Sequence, residues 1–304
     1  MTGPSHDSRG RPRGDQSSAR RAADDGLDPR QPSGARALLT NAGLSPKRSR
    51  GQNFLVDPNT TRRIVELAGV RAGEHVIEVG PGLGALTHQL REAGARVTAI
   101  EIDPELARIV EASFEGDGQV RVVNEDARKV DIGVLTGGEP ARVVANLPYN
   151  VATPLLVDIL AQVEQVGSVF VMVQAEVADR LAALPGSSEV GGVSLKVAWY
   201  GTAEVVRRVP PTVFYPRPRV ESALVRITRH PGPARLGRPD PLFSLIEAGY
   251  QQRRKTLRRS LASQCSADLL ASVGIDPSRR AETVSLQEWE TLAAAVTAFR
   301  VKGD

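Results

Sequence analysis

The stretch His75-Val-Ile-Glu78-Val-Gly80-Pro-Gly82-Leu-Gly84 constrains this chain more than any other. A short apolar run enters a loop with glycine at every second position, and the residues from Ala85 to Glu92 then repeat with helical period. This succession reads as a strand, a tight turn and a helix start, a junction at which backbone N–H groups can face a ligand closely. The spacing is Gly-x-Gly-x-Gly, not the Gly-x-Gly-x-x-Gly of dinucleotide folds. Taken alone, a glycine-rich turn is often only a turn.

The next strands narrow the reading. Arg96 to Ile100 reads as a second strand and ends in Glu101-Ile102-Asp103. A carboxylate at that position can accept hydrogen bonds from both hydroxyls of a ribose. Val120 to Val123 is a third strand, ending in Asn124-Glu125-Asp126-Ala127 and bringing a further carboxylate to where an adenine edge would lie. Arg142 to Ala145 is a fourth, running into Asn146-Leu147-Pro148-Tyr149. Ordinary strand-end turns account for one or two polar strand ends. A series of them matches the C-terminal edge of an open α/β sheet, where such folds bind ligands.

Composition sets the outer limits. A chain of 304 residues, 41% of them hydrophobic, holds one large or two modest domains with a real core. A single cysteine, Cys265, excludes an internal disulfide framework and a cysteine-based zinc cage. His6, His75, His88 and His230 form no ligand pair at helical spacing, so no metal is expected. No apolar stretch reaches the span of a bilayer and the N-terminus lacks a signal-peptide core, so the expectation is a cytoplasmic protein with no membrane partner. Net charge is +4 and the pI about 9.5. Basic residues gather at Lys47, Arg48 and Arg50, at Arg207 and Arg208, at Arg217 and Arg219, and between Arg253 and Arg259. Each cluster alone reads as a solvated face, but several together suggest a polyanionic partner, here nucleic acid.

Along the chain, residues 1–34 have almost no apolar content and read as a disordered tail. A short helix is expected from Ala35 to Ala42. Asp57 is an N-cap, with Pro58 at the first position of a helix running from Asn59 to Leu67. Between these helices the polar pair Gln52-Asn53 stands directly before Phe54-Leu55. It is either a loop whose aromatic residue plugs the core, or a segment lying over the cofactor with Asn53 hydrogen-bonding and Phe54 packing. From Val70 to Val173 strand and helix alternate as in a doubly wound parallel sheet, with Val169 to Val173 the fifth strand and Gln174 to Leu181 a helix.

Pro185 to Ser188 reads as a mobile loop. Leu195 to Tyr200, Ala203 to Val209 and Val220 to Ile227 read as later strands, and the proline-rich Phe214 to Arg219 as a surface loop. Pro231 to Pro239 is the clearest linker. Beyond it, Leu242 to Gln252, Arg254 to Gln264, Ala267 to Val273 and Leu286 to Phe299 are helical by pattern. The expected division is a tail (1–34), an α/β catalytic domain (35–230) and a small all-helical domain (240–304).

Asn146-Leu147-Pro148-Tyr149 carries the chemistry. The lone pair of adenine's exocyclic amine is delocalised into the ring, which makes it a poor nucleophile. Acceptors aimed at its two hydrogens favour the geometry in which the lone pair points at an electrophile, and they stabilise positive charge developing on nitrogen. The Asn146 side-chain carbonyl and the Leu147 backbone carbonyl can serve, Pro148 stiffens the turn, and Tyr149 can stack on an extruded base. The competing account is a proline turn with a buried tyrosine. The acidic-ended α/β core before it tips the balance toward catalysis.

The chain resembles the ribosomal RNA adenine dimethyltransferase family, and most of all its housekeeping small-subunit branch. The resemblance runs from about Ala37 to Val296 and rests on an ordered series of motifs. Gly51-Gln-Asn-Phe-Leu55, Glu78-Val-Gly-Pro-Gly82, Glu101-Ile-Asp103, Glu125-Asp126-Ala127 and Asn146-Leu-Pro-Tyr-Asn150 come first. Val173-Gln-Ala-Glu176, Phe214-Tyr-Pro-Arg-Pro-Arg-Val220 and Arg253-Arg-Lys-Thr-Leu257 follow.

The resemblance implies a Rossmann-like S-adenosylmethionine-dependent methyltransferase core with a small C-terminal all-helical domain. By it, Asn53, Leu55, Gly80, Glu101, Asp126 and Asn146 contact S-adenosylmethionine. Asn146 also orients the target amine, and Tyr149 and Phe214 sandwich the adenine. The implied substrate is a pair of adjacent adenosines in the 3′-terminal hairpin of 16S rRNA, dimethylated in the immature small subunit by a monomeric enzyme. Val190-Gly191-Gly192 departs from the Tyr-Gly-Arg-like stretch usual in the family, and the tail is unmatched.

Arg253, Arg254, Lys255, Arg258 and Arg259 stand together without an intervening acid. On a helix, residues 254 and 258, and 255 and 259, fall one turn apart and concentrate the charge on one side, while Leu257 and Leu261 face inward. RNA phosphate is the expected partner. Three other readings stay open: the antibiotic-resistance branch acting on large-subunit RNA, a DNA adenine methylase, and a binding factor without turnover. The first shares the chemistry. The second lacks an added domain for duplex readout, and the third is disfavoured by the intact glycine loop, Glu101, Asp126 and Asn146.

Overall fold

The computed structural model describes residues 27–47, 51–148, 152–184, 187 and 189–303. Its strands are β1 (Phe54–Leu55), β2 (His75–Val79), β3 (Arg96–Glu101), β4 (Val120–Asn124), β5 (Ala141–Asn146), β6 (Val166–Gln174), β7 (Gly201–Val209), β8 (Phe214–Tyr215) and β9 (Ser222–Arg229). Seven of them form one sheet in the order β4-β3-β2-β5-β6-β9-β7. β2 through β6 are parallel, as the strand–helix alternation predicts. β9 then runs antiparallel to β6, and β7 antiparallel to β9. The sheet is therefore mixed, not wholly parallel. After β7 the chain turns back to β9 through the short β8 segment, with no crossover helix to carry it to a parallel position. The strand order reverses between β3 and β5, on either side of β2, which opens a crevice at the strand C-termini.

The helices that precede β7 are α1 (Pro32–Asn41), α2 (Pro58–Ala68), α3 (Ala85–Glu92), α4 (Pro104–Ser113), α5 (Ile132–Thr136), α6 (Ala152–Gln162), α7 (Ala175–Leu181) and α8 (Gly192–Tyr200). Asp57 caps α2 as expected, its carboxylate accepting from the Thr60 amide at 2.9 Å. Residues 27–34, assigned to the tail by composition, are folded: α1 starts at Pro32, and Arg30 pairs with Asp28 and Glu92. Leu38 and Leu39 of α1 join Phe54, Leu83 and Leu106 in a buried cluster, which anchors this helix beside the glycine loop. Residues 1–26 lie outside the described residues.

Leu195 to Tyr200, predicted as a strand, belongs to α8. A short apolar run does not distinguish a strand from a helix buried on several sides. Here Leu195, Val197 and Tyr200 are buried, while Trp199 meets Phe243 edge-on with ring centroids 5.8 Å apart. Phe214 to Arg219 is also not wholly loop. Phe214 and Tyr215 pair with Leu55 and Phe54 in a two-residue antiparallel bridge. Pro216, which has no N–H to donate, follows directly.

The C-terminal helices are α9 (Leu242–Gln251), α10 (Leu257–Ser260), α11 (Ala267–Ser272) and α12 (Leu286–Gly303). The helix expected over Arg254–Gln264 is only the single turn α10. The Leu257 amide donates to the Arg279 carbonyl at 2.7 Å and the Arg258 amide to the Pro277 carbonyl at 3.0 Å, so these donors are committed outside the helix and it does not extend back to Arg254. The helical unit shares one apolar core with the sheet: Leu245, Ile246, Trp289 and Leu292 belong to the same buried cluster as Val143 and Val225. The linker is held against the sheet side, with the Gly237 amide donating to the Ala161 carbonyl at 2.7 Å and Tyr200 Oη to the Gly237 carbonyl at 2.6 Å.

Candidate functional site

A cavity of about 310 Å³ opens at the C-terminal ends of β2, β3 and β5, with the loop after β4 on one wall and residues 51–55 on another. The glycine loop makes its floor. Gly80, Gly82 and Gly84 have φ of +71°, +61° and +85°, a region that costs any residue with a Cβ. A Cβ on Gly82 would also stand 3.0 Å from the Phe54 ring, so the loop and the 51–55 segment approach each other closely only because Gly82 has none. Gly84 is the N-cap of α3.

Glu101 ends β3 and is 5% exposed. Its Oε2 accepts from the Gly82 amide at 3.1 Å and its Oε1 from the Asp103 amide at 2.9 Å. Burial pushes its pKa up, and these two backbone donors oppose that rise. Asp126 lies at the turn after β4, where the Arg128 amide donates to Oδ1 at 3.0 Å and holds its carboxyl below the ordinary value. The Arg128 guanidinium stands 3.4 Å from Oδ2.

Asn146 ends β5. Its Nδ2 donates to the Asn53 carbonyl at 3.3 Å, and the Asn53 Nδ2 in turn donates to the Gly51 carbonyl at 3.1 Å. Leu147 is buried and its amide is tied to the Met172 carbonyl at 3.1 Å. The Pro148 ring packs over Gly80, 3.6 Å from where a Cβ would stand. Every residue expected to touch the cofactor (Asn53, Leu55, Gly80, Glu101, Asp126 and Asn146) lines this one cavity, as do Leu147 and Pro148.

One expected residue, Phe214, is not brought there. Tyr149 lies outside the described residues. Phe214 is 4% exposed and packs in the buried cluster with Leu55, Phe170 and Met172, and it does not line the cavity. Its bridge to Leu55 places its ring under the segment and not in the opening.

Sequence reasoning assigned no role to Glu78, which lines the cavity at 1% exposure and accepts from the Thr87 hydroxyl at 2.6 Å. Burial drives its pKa up to about 8, with the neighbouring Glu101 adding to the rise and the Thr87 hydrogen bond opposing it. The signal was present as an acid inside an otherwise apolar strand. A second pair went unnoticed: Lys47 Nζ meets the Oδ2 of buried Asp103 at 2.8 Å.

In the basic cluster, Leu257 and Leu261 are buried as expected. Arg253 pairs with Glu282 at 2.9 Å and so has a structural partner. Arg254, Lys255, Arg258 and Arg259 are exposed. Because Arg254 and Lys255 precede α10, the expected one-turn stacking on Arg258 and Arg259 does not occur.

Residues 43–297 match the family model described as Ribosomal RNA adenine dimethylase. The chain is 46% identical over 281 residues to Ribosomal RNA small subunit methyltransferase A of Bifidobacterium longum, covering 86% of this chain and 91% of that one. Its identity to the protein of the same name from Cutibacterium acnes is also 46%, over 90% of this chain and 95% of that one.

Among solved structures, the 23S rRNA methyltransferase ErmE is similar with a TM-score of 0.59 and 26% identity, covering 81% of this chain and all of that one. A dimethyladenosine transferase from Plasmodium falciparum has the same fold, with a TM-score of 0.66, 22% identity, and 81% and 97% coverage. The glycine loop, the acids on β3 and after β4, and Asn146 at the end of β5 thus sit in a chain that belongs to the ribosomal RNA adenine dimethylase family of enzymes.

Proposed function

We propose that this enzyme uses S-adenosylmethionine to dimethylate the exocyclic amines of two adjacent adenosines in the 3′-terminal hairpin of 16S rRNA, acting as a cytoplasmic monomer on the immature small subunit. The observation that carries the reading is the hydrogen bond from Asn146 Nδ2 to the Asn53 carbonyl, which leaves Asn146 Oδ1 as an acceptor at the cavity wall. An acceptor there takes one amine hydrogen, and the Leu147 carbonyl takes the other. Together they hold the lone pair toward the cavity and offset positive charge on nitrogen.

S-adenosylmethionine fits the acceptors of this lining: it carries ribose hydroxyls for Glu101 and an adenine amine for Asp126. When bound, it supplies an electrophilic methyl group on a sulfonium. Asn146 Oδ1 and the Leu147 carbonyl would aim the arylamine lone pair at that methyl group, and the amine proton that the methyl replaces would be released to solvent. Tyr149 stacks on the extruded base. Arg254, Lys255, Arg258 and Arg259 hold RNA phosphates, because a pocket around one flipped base contacts little of the surrounding RNA.

The small-subunit assignment follows the names of the relatives at 46% identity, which stand well above the 26% of the large-subunit enzyme ErmE. Transfer of labelled methyl groups to undermethylated small subunits, with the modified nucleotides mapped, tests it. Label on two adjacent adenosines of the 3′-terminal hairpin is expected. Label confined to large-subunit RNA would decide for the resistance-type reading.

A further inference from the structure

Arg207 and Arg208 adjoin in sequence, but strand alternation turns them to opposite faces of the sheet. Arg208 lies opposite Ala223 and pairs with Asp179 of α7. Arg207 lies opposite Leu224, because a bulge between Val205 and Arg207 resets the register just before it. Leu224 packs in one buried cluster with Ile64 and Val65 of α2, so Arg207 stands on the face that α2 covers. It is exposed, and among the described residues no acid pairs with it.

A second cavity, of about 300 Å³, opens at this point. Arg63 of α2 and Arg207 of β7 line it, with Ile64, Val213 and Leu224 supplying apolar wall. Arg63 meets Glu66 at 3.1 Å with both side chains half exposed, and such a pair holds its partners weakly. Asp57 also lines the cavity, but its carboxylate is taken by the Thr60 amide and hydroxyl. The cavity therefore offers two arginines beside an acid already committed to its helix cap.

Sheet register ties this cavity to Asn146. Asn146 lies opposite Met172, Met172 opposite Leu224, and Leu224 opposite Arg207. Residues paired across a sheet share a face, so Asn146 and Arg207 stand in one row on the α2 face, three strand spacings or roughly 14–15 Å apart. The segments of the β1–β8 bridge run between the two cavities: Leu55 lines the first, and Asp57 and Val213 line the second.

We propose that Arg63 and Arg207 form a phosphate-holding site for the RNA strand that delivers the target adenosine, taking its backbone a few nucleotides from the extruded base. The inference rests on the reading of the Asn146 cavity as the place where the adenine is held. An RNA strand carries a charge at every linkage, and a guanidinium donates to phosphate oxygens in pairs. A strand that leaves the first cavity across the bridge meets both arginines on the same face. Such contacts carry no base identity; they fix the register in which the strand lies.

The experiment compares Arg63→Gln, Arg207→Gln, the double variant and Arg208→Gln in binding to undermethylated small subunits across a salt series. Arg63→Gln and Arg207→Gln should each lower the salt slope by about 0.7–0.9, and the double variant by the sum. The double variant should weaken binding by about tenfold, the factor for roughly one charge-assisted hydrogen bond. S-adenosylmethionine affinity and thermal unfolding should match wild type, and Arg208→Gln should leave the slope unchanged. Slopes equal to wild type would overturn the proposal. So would a slope that falls for Arg208→Gln and not for Arg207→Gln, which would put the RNA on the opposite face.

Placement is read separately. Iron–EDTA tethered to Arg207→Cys, in a Cys265→Ser background, should cleave the RNA within a few nucleotides of the adenosines that the wild type methylates. Cleavage only elsewhere would overturn the proposal. If the wild type methylates large-subunit RNA instead, the small-subunit reading falls and the same measurements are made on that RNA. Wild-type transfer by Asn146→Ala would fell the Asn146 reading alone, and the salt slopes would still decide the second cavity.

Discussion

Asn146 Nδ2 lies 3.3 Å from the backbone carbonyl of Asn53, ninety-three residues away in sequence. The bond orients the amide, because a carbonyl oxygen turned toward Asn53 would face another carbonyl. It makes the 51–55 segment a support for the Asn146 side chain as well as a wall of the cavity.

Asn146→Ala removes the acceptor. Single-turnover methyl transfer should fall by roughly 10²–10³-fold, the range for losing one preorganised electrostatic group. Cofactor affinity, measured by calorimetry on the same protein, should fall much less. Transfer equal to wild type would sink the mechanism.

Glu101→Ala removes the carboxylate proposed to hold the ribose and the acceptor of the Gly82 and Asp103 amides. Affinity for S-adenosylmethionine should drop by about 1–3 kcal/mol, as for lost hydrogen bonds to a charged group. Unchanged affinity in a folded variant would remove Glu101 from the cofactor site.

Glu78 gives the cavity a pH signature. Its folded pKa, about 8, lies above the ordinary 4.5, so between those values the folded state holds a proton that the unfolded state has lost. Stability contributed by neutral Glu78 is therefore present in full below the unfolded value, declines as pH rises through that interval, and levels off above about 8. Glu101, also raised, acts in the same direction. Glu78→Gln, which stays neutral, should flatten the fall in melting temperature between mildly acidic and mildly basic pH. A profile parallel to that of wild type would show that Glu78 titrates normally.

The basic cluster divides in two. Arg258→Gln and Arg259→Gln alter exposed cations at the start of α10 and should each reduce the salt slope of small-subunit binding by about 0.7–0.9, the effect of losing one phosphate contact. Arg253→Gln breaks a half-exposed pair with Glu282 instead, which is worth about 0–1 kcal/mol of fold stability. RNA affinity across a salt series, set beside thermal unfolding of each variant, separates the two. Unchanged slopes for Arg258 and Arg259 would move the RNA surface elsewhere.

The sequence by itself determined the elements whose signals are local. Glycines that must take positive φ, acids at the ends of apolar runs and Asp57 before Pro58 are each legible within a few residues, and the β2-loop-α3 unit is found where the pattern places it. The residues that line the cavity are legible for the same reason: each named at the sequence level lies at a strand end, in the glycine loop or in the segment before α2. Tertiary structure alone decided what depends on partners distant in the chain. The apolar run at Leu195 became helix because it packs on several sides, and α10 shrank because loop 277–279 takes the amides of Leu257 and Arg258.

Phe214 is a core residue because Leu55 pairs with it, and Arg253 is neutralised by an acid twenty-nine residues later. Lys47 resembles any surface lysine until the fold lays it against Asp103. A side chain's type and spacing tell what it is able to do. Which charge it meets, and whether water reaches it, is set by contacts that only the closed chain creates.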